Sequence, residues 1–131
     1  MAAEQLVRAE IDAGLTLVRV LDDARFGVVG ALWLYSADAD RWRFVIAADA
    51  TPKDIEKKYL EAATIVSQWR EAHPGQPVLD LARVRIVSQS DPLIRGLQPV
   101  IRVDGLSEVR FSNNVVNGIY VEDALIHRMA A

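Results

Sequence analysis

Six arginines carry the clearest capacity for binding chemistry in this sequence. All lie in or beside segments predicted to be strands, and they are Arg41, Arg43, Arg83, Arg85, Arg102 and Arg110. Two pairs among them are spaced two residues apart, and side chains at that spacing in a strand share one face of the sheet. If the strands are neighbours, the guanidinium groups gather on one face and can bind phosphate or carboxylate. The competing interpretation is ordinary solvated arginines paired with Glu108, Glu122 or Asp104.

Acidic and histidine side chains near the carboxyl end are the candidates for general acid–base catalysis. They are Glu122, Asp123 and His127. Asp123 and His127 share one side of a predicted strand, about 13 Å apart at ~3.3 Å per residue. Direct cooperation needs hydrogen-bond distance, so a group from a neighbouring strand would have to complete the site. Joined to the arginine face, these groups would make a small hydrolase or nuclease that acts on a phosphate-containing substrate.

Three aspartates around the central part of the chain, Asp38, Asp40 and Asp49, are oxygen ligands available for a divalent cation. They lack the ligand spacing and the distal bidentate glutamate of a calcium loop, and aspartate in a turn usually hydrogen-bonds its own backbone. The chain has no cysteine, so thiolate metal sites are excluded. The sequence therefore predicts neither a metal site nor a cofactor.

Length and composition are those of one folded domain spanning residues 1–131. Hydrophobic residues make up 51% and charged residues 25% of the chain, a balance typical of globular proteins that fold without disulfides. The missing cysteines and the charged opening, MAAEQLVRAE, favour the cytoplasm over secretion. No apolar run approaches the ~20 residues of a membrane span. A formal net charge of -3 disfavours nucleic acid as a partner.

The stretch from Phe26 to Ala48 gives the strongest strand signal. Val28 to Tyr35 and Trp42 to Ala47 are rich in β-branched and aromatic residues, and small turn-prone residues separate them, which predicts a β-hairpin. Apolar residues fall on both faces of the first strand. Such a strand is expected in the middle of a sheet that is covered on both sides, by helices or by a second subunit.

Two amphipathic helices flank this hairpin. Residues 3–22 carry apolar side chains at helical spacing, and Gly14 among them predicts close approach of the helix to the sheet. Thr51 and Pro52 supply an N-cap and a first-turn proline for the second helix, which is predicted to end near Ala72.

The end of the second helix carries two aromatic rings. Trp69 takes the last full position of the apolar stripe, so its ring is expected to pack against the sheet. His73 follows as a favourable cation or hydrogen-bond donor at the helix C-terminus.

The last third of the chain is predicted to be a meander. Its expected elements are a strand from about Arg83 to Ser88, a short helical turn from Ser90-Asp91-Pro92 to Leu97, strands at Val100–Val103 and Glu108–Ser112 around an Asp104-Gly105 turn, and a hairpin across Asn117-Gly118. The complete order predicts an α+β fold: a largely antiparallel sheet of five to six strands, two long helices and one short helical turn.

These observations favour a non-enzymatic intracellular protein that acts by protein–protein interaction or as a subunit of an assembly. The hydrolase or nuclease described above is the alternative, so enzymatic activity is left open. Convergence of the arginines with Glu122, Asp123 or His127 in one cavity would favour the enzyme. The apolar surface on both sides of the sheet also predicts a homo-oligomer, most simply a twofold dimer.

Overall fold

The computed structural model describes residues 5–131. Its elements are helix α1 (Arg8–Asp23), strands β1 (Val28–Ser36) and β2 (Arg41–Ala48), helix α2 (Ile55–Ala72), strand β3 (Val84–Ser88), helix α3 (Pro92–Leu97), and strands β4 (Val109–Val116) and β5 (Ile119–Met129). Short 3₁₀ turns, Pro52–Asp54 and Leu81–Arg83, precede α2 and β3. Within residues 5–131, no helix is both long and apolar enough to cross a membrane.

Five strands of the described chain form one sheet in the order β3-β2-β1-β5-β4. β2 and β3 are parallel neighbours, because α2 carries the chain back between them. The other neighbouring strands are antiparallel. The predicted α+β class, with a largely antiparallel sheet, two long helices and a short helical segment, is confirmed.

The β1–β2 hairpin occupies the middle of this sheet, as its two apolar faces predicted. Leu32 and Trp33 are consecutive residues of β1 that belong to separate apolar clusters on opposite faces, and neither is exposed to solvent. Successive side chains of a strand point to opposite faces, so β1 requires cover on both sides of the sheet.

Helix α1 lies directly against one face of the sheet. Leu15 and Val18 pack in the same cluster as Trp33 and Phe44. A Cβ atom added at Gly14 would lie 3.2 Å from Phe44 Cε1 and 3.2 Å from Trp33 Nε1. The prediction that Gly14 permits close approach of the helix to the sheet is confirmed.

Helix α2 covers the same face but has fewer buried residues. Its buried side chains are Ala62 and Val66. The expectation that Trp69 packs on the sheet is wrong, because in the described chain its ring is not among the side chains packed in or against either apolar cluster of the sheet. The Trp69 ring instead stacks on His73, with ring centroids 4.5 Å apart and planes at 15°. His73 Nδ1 lies 3.0 Å from the Trp69 carbonyl oxygen, which fits the predicted hydrogen bond at the helix end.

The opposite face of the sheet is covered by α3 and by the tip of the β4–β5 hairpin. Ile94 and Leu97 of α3 pack in one cluster with Val116. Asn117 Nδ2 donates a hydrogen bond to the Pro92 carbonyl oxygen at 2.9 Å, which ties the hairpin tip to the start of α3. The chain therefore buries much of the second face of β1 with its own residues.

The turn of the β4–β5 hairpin has the backbone conformation that its sequence predicted. Asn117 has φ 50° and Gly118 has φ 75°. Both lie in the left-handed region that a two-residue hairpin turn requires and that asparagine and glycine tolerate best.

The segment before β4 differs from the prediction. Val100–Val103 is not a strand, and within the described chain Val103 makes an isolated antiparallel bridge to Met129. The predicted return strand begins at Val109 and pairs with β5. Val103 and Met129 exchange two backbone hydrogen bonds, at 3.0 and 2.8 Å, so the eleven-residue β5 pairs with Val103 in place of a local hairpin at Asp104-Gly105.

Candidate anion-binding site

Three of the six predicted arginines converge on the second face of the sheet, the face that α3 partly covers. The cavity there has a volume of about 400 Å³ and is lined by Leu34, Ser36, Ala39, Arg41, Arg43, Val45 and Arg85. Leu34 pairs with Arg43 and Ser36 with Arg41 across the β1–β2 hairpin. Arg85 of β3 pairs with Val45. We refer to this cavity as the arginine pocket.

The two-residue period of β2 explains why the pocket forms. Arg41, Arg43, Val45 and Ala47 alternate with buried aromatic and aliphatic residues that face α1 and α2. Val45 and Ala47 belong to the apolar cluster under α3, whereas the two arginines are exposed near the hairpin turn. The second face is therefore apolar where α3 covers it and cationic beyond that cover.

The charges of the pocket are largely uncompensated. Within residues 5–131, the side chains of Arg41 and Arg43 have no ion-pair or hydrogen-bond partner. Arg85 Nη2 lies 3.9 Å from Asp91 Oδ1, at the limit of an ion pair, and the Arg85 side chain is 54% exposed. The pocket can therefore bind an anion without first breaking a short ion pair.

The other arginines lie elsewhere and have partners. Arg83 Nη2 donates to Glu10 Oε2 at 2.6 Å, and its guanidinium lies 5.4 Å from the centre of the Trp33 ring, on the face covered by α1. The prediction that Arg83 and Arg85 share a strand face is wrong. The 3₁₀ turn Leu81–Arg83 precedes the strand, so the two-residue alternation does not extend to Arg83.

Arg102 and Arg110 do not join the pocket either. Arg110 donates to both carboxylate oxygens of Asp123, at 2.9 and 2.8 Å, and its guanidinium lies 5.5 Å from the centre of the Trp42 ring. These hydrogen bonds raise the pKa of Arg110 and lower that of Asp123. Arg102 lies in a non-strand segment and donates to Asp104 at 2.9 Å. The prediction that Arg102 and Arg110 come from adjacent strands is therefore wrong.

The candidate acid–base groups serve structural contacts away from the pocket. Asp123 also accepts a hydrogen bond from Ser112 Oγ at 2.7 Å. His127 is fully buried, with Nδ1 2.6 Å from the Ser107 carbonyl oxygen. Burial lowers the pKa of His127. Neither these two residues nor Glu122 lines the arginine pocket.

The three aspartates considered for a cation are held by separate contacts or lie apart. Asp40 accepts a hydrogen bond from Tyr35 Oη at 2.5 Å. Asp49 accepts one from Gln89 Nε2 at 3.1 Å. Over residues 5–131, no group of three or more His, Cys, Asp or Glu side chains is placed to hold a metal ion.

A second cavity, which the sequence did not indicate, lies along the outer edge of β3. It has a volume of about 400 Å³, and its lining includes Ile55 and Tyr59 of α2, residues 85–88 of β3, and Pro92. Tyr59 Oη accepts a hydrogen bond from the Ile86 amide at 2.8 Å. The sequence does not indicate this cavity, because it forms where β3 is an edge strand beside α2. That arrangement brings together residues that are far apart in the chain. Arg85 lines both cavities.

Comparisons of this chain with protein families, curated proteins and solved structures found no match.

Proposed function

We propose that this protein is a non-enzymatic protein that binds another protein, or acts as a subunit of an assembly, through the surface around the arginine pocket. The observation that carries the proposal is a separation of residue types. Cationic side chains without close partners gather in one cavity, whereas Asp123 and His127 are engaged in other contacts.

The composition of the pocket supports recognition over catalysis. General acid–base catalysis requires a titratable group within hydrogen-bond distance of the reacting atoms. The ionisable residues that line the pocket are arginines, and arginine stays protonated in proteins. Such a site can orient and neutralise an anion, but its lining has no group that exchanges a proton near neutral pH.

The alternative is a small hydrolase or nuclease that acts on a phosphate-containing substrate through the same arginines. It would require Glu122, Asp123 or His127 to approach the pocket. The bidentate contact between Asp123 and Arg110 and the burial of His127 oppose such an approach. We therefore retain this function only as an outcome to be measured.

Affinity capture with paired variants tests the proposal. Tagged wild-type chain, the pocket variant Arg41→Gln/Arg43→Gln and the control variant Arg19→Gln/Arg70→Gln would be used on lysate of the source cells. Arg19 and Arg70 are exposed helix residues, so the control has the same change in charge. We expect proteins that are captured by the wild type and the control and lost with the pocket variant.

Two results would contradict the proposed function. One is identical capture by all three proteins. The other is turnover of a phosphodiester or phosphomonoester that the control variant retains and the pocket variant loses, which would support the hydrolase. Thermal melting of each variant would establish that the substitutions leave the fold intact.

We also propose that the protein is cytoplasmic and associates as a twofold dimer. The absence of cysteine is compatible with a reducing compartment. Support for a dimer comes from the surface of α2 beside the outer edge of β3, where Tyr59 is 39% and Leu60 68% exposed. The Ile86 amide at this edge is already bonded to Tyr59 Oη, so the support comes from the exposed side chains of α2 rather than from strand pairing. Twofold symmetry is the commonest closed arrangement.

A further inference from the structure

We propose that the arginine pocket binds an extended acidic segment of a partner protein whose carboxylates occur at alternate positions. This inference rests on the proposed function and specifies the chemistry of the partner. It follows from the spacing of the arginines, from their positive charge and from the apolar side chains that line the pocket with them.

The spacing of the arginines matches that of an extended polypeptide. Arg41 and Arg43 are two positions apart on β2, which places their Cα atoms about 6.6 Å apart. Arg85 is paired with Val45, so it lies one strand across and one row further along the same face. Side chains at positions i and i+2 of an extended segment repeat at the same distance as those of β2. Alternate acidic residues can therefore meet successive guanidinium groups.

The positive charge of the pocket favours binding of carboxylates, although the chain as a whole has a negative net charge. Among the described residues, Asp91 is the carboxylate that lies within ion-pair distance of the pocket's guanidinium groups, at 3.9 Å from Arg85. Arginine forms paired, charge-assisted hydrogen bonds with carboxylate. The formal net charge of the chain is -3, so attraction of an acidic partner is confined to this local surface and should weaken as salt increases.

Two features favour a polypeptide over a phosphate-containing ligand. Phosphate sites often use backbone amides at a helix N-terminus, and the residues lining this pocket belong to β1, β2, β3 and the β1–β2 turn. The lining also includes Leu34, Ala39 and Val45. These apolar side chains can contact the aliphatic part of a glutamate or the residues between acids, whereas a phosphate group cannot use them.

Two peptides of equal composition test the spacing. The first has three glutamates at alternate positions with threonines between them, and the second has the three glutamates in succession. Each would carry a fluorescent label, and binding to the full chain would be measured by anisotropy at low and moderate salt. We expect the alternating peptide to bind at least about tenfold more tightly, which corresponds to one additional charge-assisted hydrogen bond.

Variants and competitors complete the experiment. Arg41→Gln/Arg43→Gln should weaken binding of the alternating peptide by at least about tenfold, while Arg19→Gln/Arg70→Gln should leave it unchanged. Equal affinity for the two peptides, or no binding of either, would overturn the inference. Displacement by inorganic phosphate or by a short single-stranded oligonucleotide at concentrations comparable with the peptide would also overturn it, in favour of a phosphate ligand.

The result can be separated from that of the proposed function. If neither peptide binds but capture of a cellular protein still depends on Arg41 and Arg43, the proposed function stands and the acidic segment is wrong. If capture does not depend on these arginines, the proposed function itself fails. Thermal melts of the variants exclude loss of folding as the cause of either result.

Discussion

At the scale of single residues, His127 is the most unusual titratable group in the core. Its ring is fully buried and lies 6.1 Å from the ring of Phe44, measured between centroids. Nδ1 is hydrogen-bonded to the Ser107 carbonyl oxygen, while Nε2 has no hydrogen-bond partner among the described residues. Burial lowers the pKa of His127 below its ordinary value of 6.5, although the contact with Ser107 and the charge of nearby Glu108 oppose the shift.

This environment predicts loss of stability in mild acid. Between the ordinary pKa of 6.5 and the lower pKa of His127 in the fold, the unfolded chain binds more protons than the folded chain. The free energy of unfolding should therefore fall as pH decreases below about 6.5, by at most about 1.4 kcal/mol per pH unit for one proton. Urea denaturation between pH 5 and pH 8 measures this slope.

A substitution that removes no titratable group provides the control. His127→Asn should reduce the pH dependence of stability in this window, even if its stability is lower at every pH. Gly105→Ala, where a Cβ atom meets nothing within 4 Å, should retain the wild-type slope. An unchanged slope in the His127 variant would mean that this residue is protonated equally in the folded and unfolded chains.

Gly14 supports a second prediction at this scale. Replacement of glycine by alanine in a helix usually stabilises by about 1 kcal/mol. At Gly14 the new Cβ would lie 3.2 Å from Phe44 and from Trp33, which are both fully buried and have little room to move. We expect Gly14→Ala to destabilise the fold, as measured by chemical denaturation. The exposed substitution Ala63→Gly, in the interior of α2, reports the propensity alone. A gain in stability by Gly14→Ala would show that the rings can move.

The arginines illustrate what local spacing can and cannot establish. Arg41 and Arg43 could be assigned to one face because both lie within a strand whose alternation is regular. Arg83 and Arg85 have the same spacing, but a 3₁₀ turn ends at Arg83, and the two side chains diverge. The meeting of Arg85 with Arg43 depends on the parallel pairing of β3 with β2, which no local pattern specifies.

At the scale of elements, the contact between α3 and the β4–β5 hairpin closes the second core. A Cβ atom added at Gly96 would lie 2.9 Å from Asn117 Cβ and 3.0 Å from the backbone carbon of Val116. Backbone cannot move aside as a flexible side chain can. The hairpin tip and the helix would have to separate to accommodate even a methyl group.

We therefore expect Gly96→Ala to destabilise the protein by about 1 to 3 kcal/mol, the usual cost of overpacking. Gly105→Ala is the matched control, because a Cβ atom there meets nothing within 4 Å. Thermal or urea denaturation of the two variants gives the comparison. Equal stability of the two variants would indicate that α3 is not held tightly against the hairpin.

The elements that could be predicted from sequence are those with local signals. The β1–β2 hairpin, both long helices and the Asn117-Gly118 turn follow from periodicity and turn residues. The predicted N-cap at Thr51 is wrong, because its hydroxyl donates to Asp54 Oδ2 at 3.0 Å and α2 begins at Ile55. The irregular course of Val100–Val103 could not be predicted, because its apolar residues resemble a strand while its backbone partner is the distant Met129. Trp69 continues the apolar stripe of α2, but the stripe does not reveal that its ring stacks on His73 instead of joining the core.

At the scale of the whole molecule, the two faces of the sheet differ in what remains exposed. The face under α1 and α2 carries arginines that are paired with acids, such as Arg83 with Glu10 and Arg110 with Asp123. The second face is closed by α3 and the hairpin tip over part of its area and carries the arginine pocket beyond it. The amino-acid composition of the chain does not show which arginines are paired with acids and which form the pocket, so composition alone cannot distinguish the two faces.

The quaternary structure provides the last prediction. The two apolar faces of the sheet predict a dimer, but α3 and the β4–β5 hairpin cover much of the second face. What remains includes the surface of α2, where Leu60 is 68% exposed next to Tyr59, whose Oη accepts a hydrogen bond from the Ile86 amide of the β3 edge. We expect light scattering at micromolar concentration to give about twice the chain mass of 14.5 kDa, with dissociation on dilution if the interface is small.

Charge placed in this surface should separate the subunits, because an unpaired carboxylate is costly to bury. Leu60→Asp is expected to give the monomer mass at concentrations where the wild type is dimeric. Val115→Asp is the control, since Val115 is 64% exposed on β4, at the opposite edge of the sheet from β3. A wild-type mass of 14.5 kDa at all concentrations would disprove the dimer. A dimer that resists Leu60→Asp would move the interface to another surface, where the arginine pocket would have to be tested for burial between the subunits.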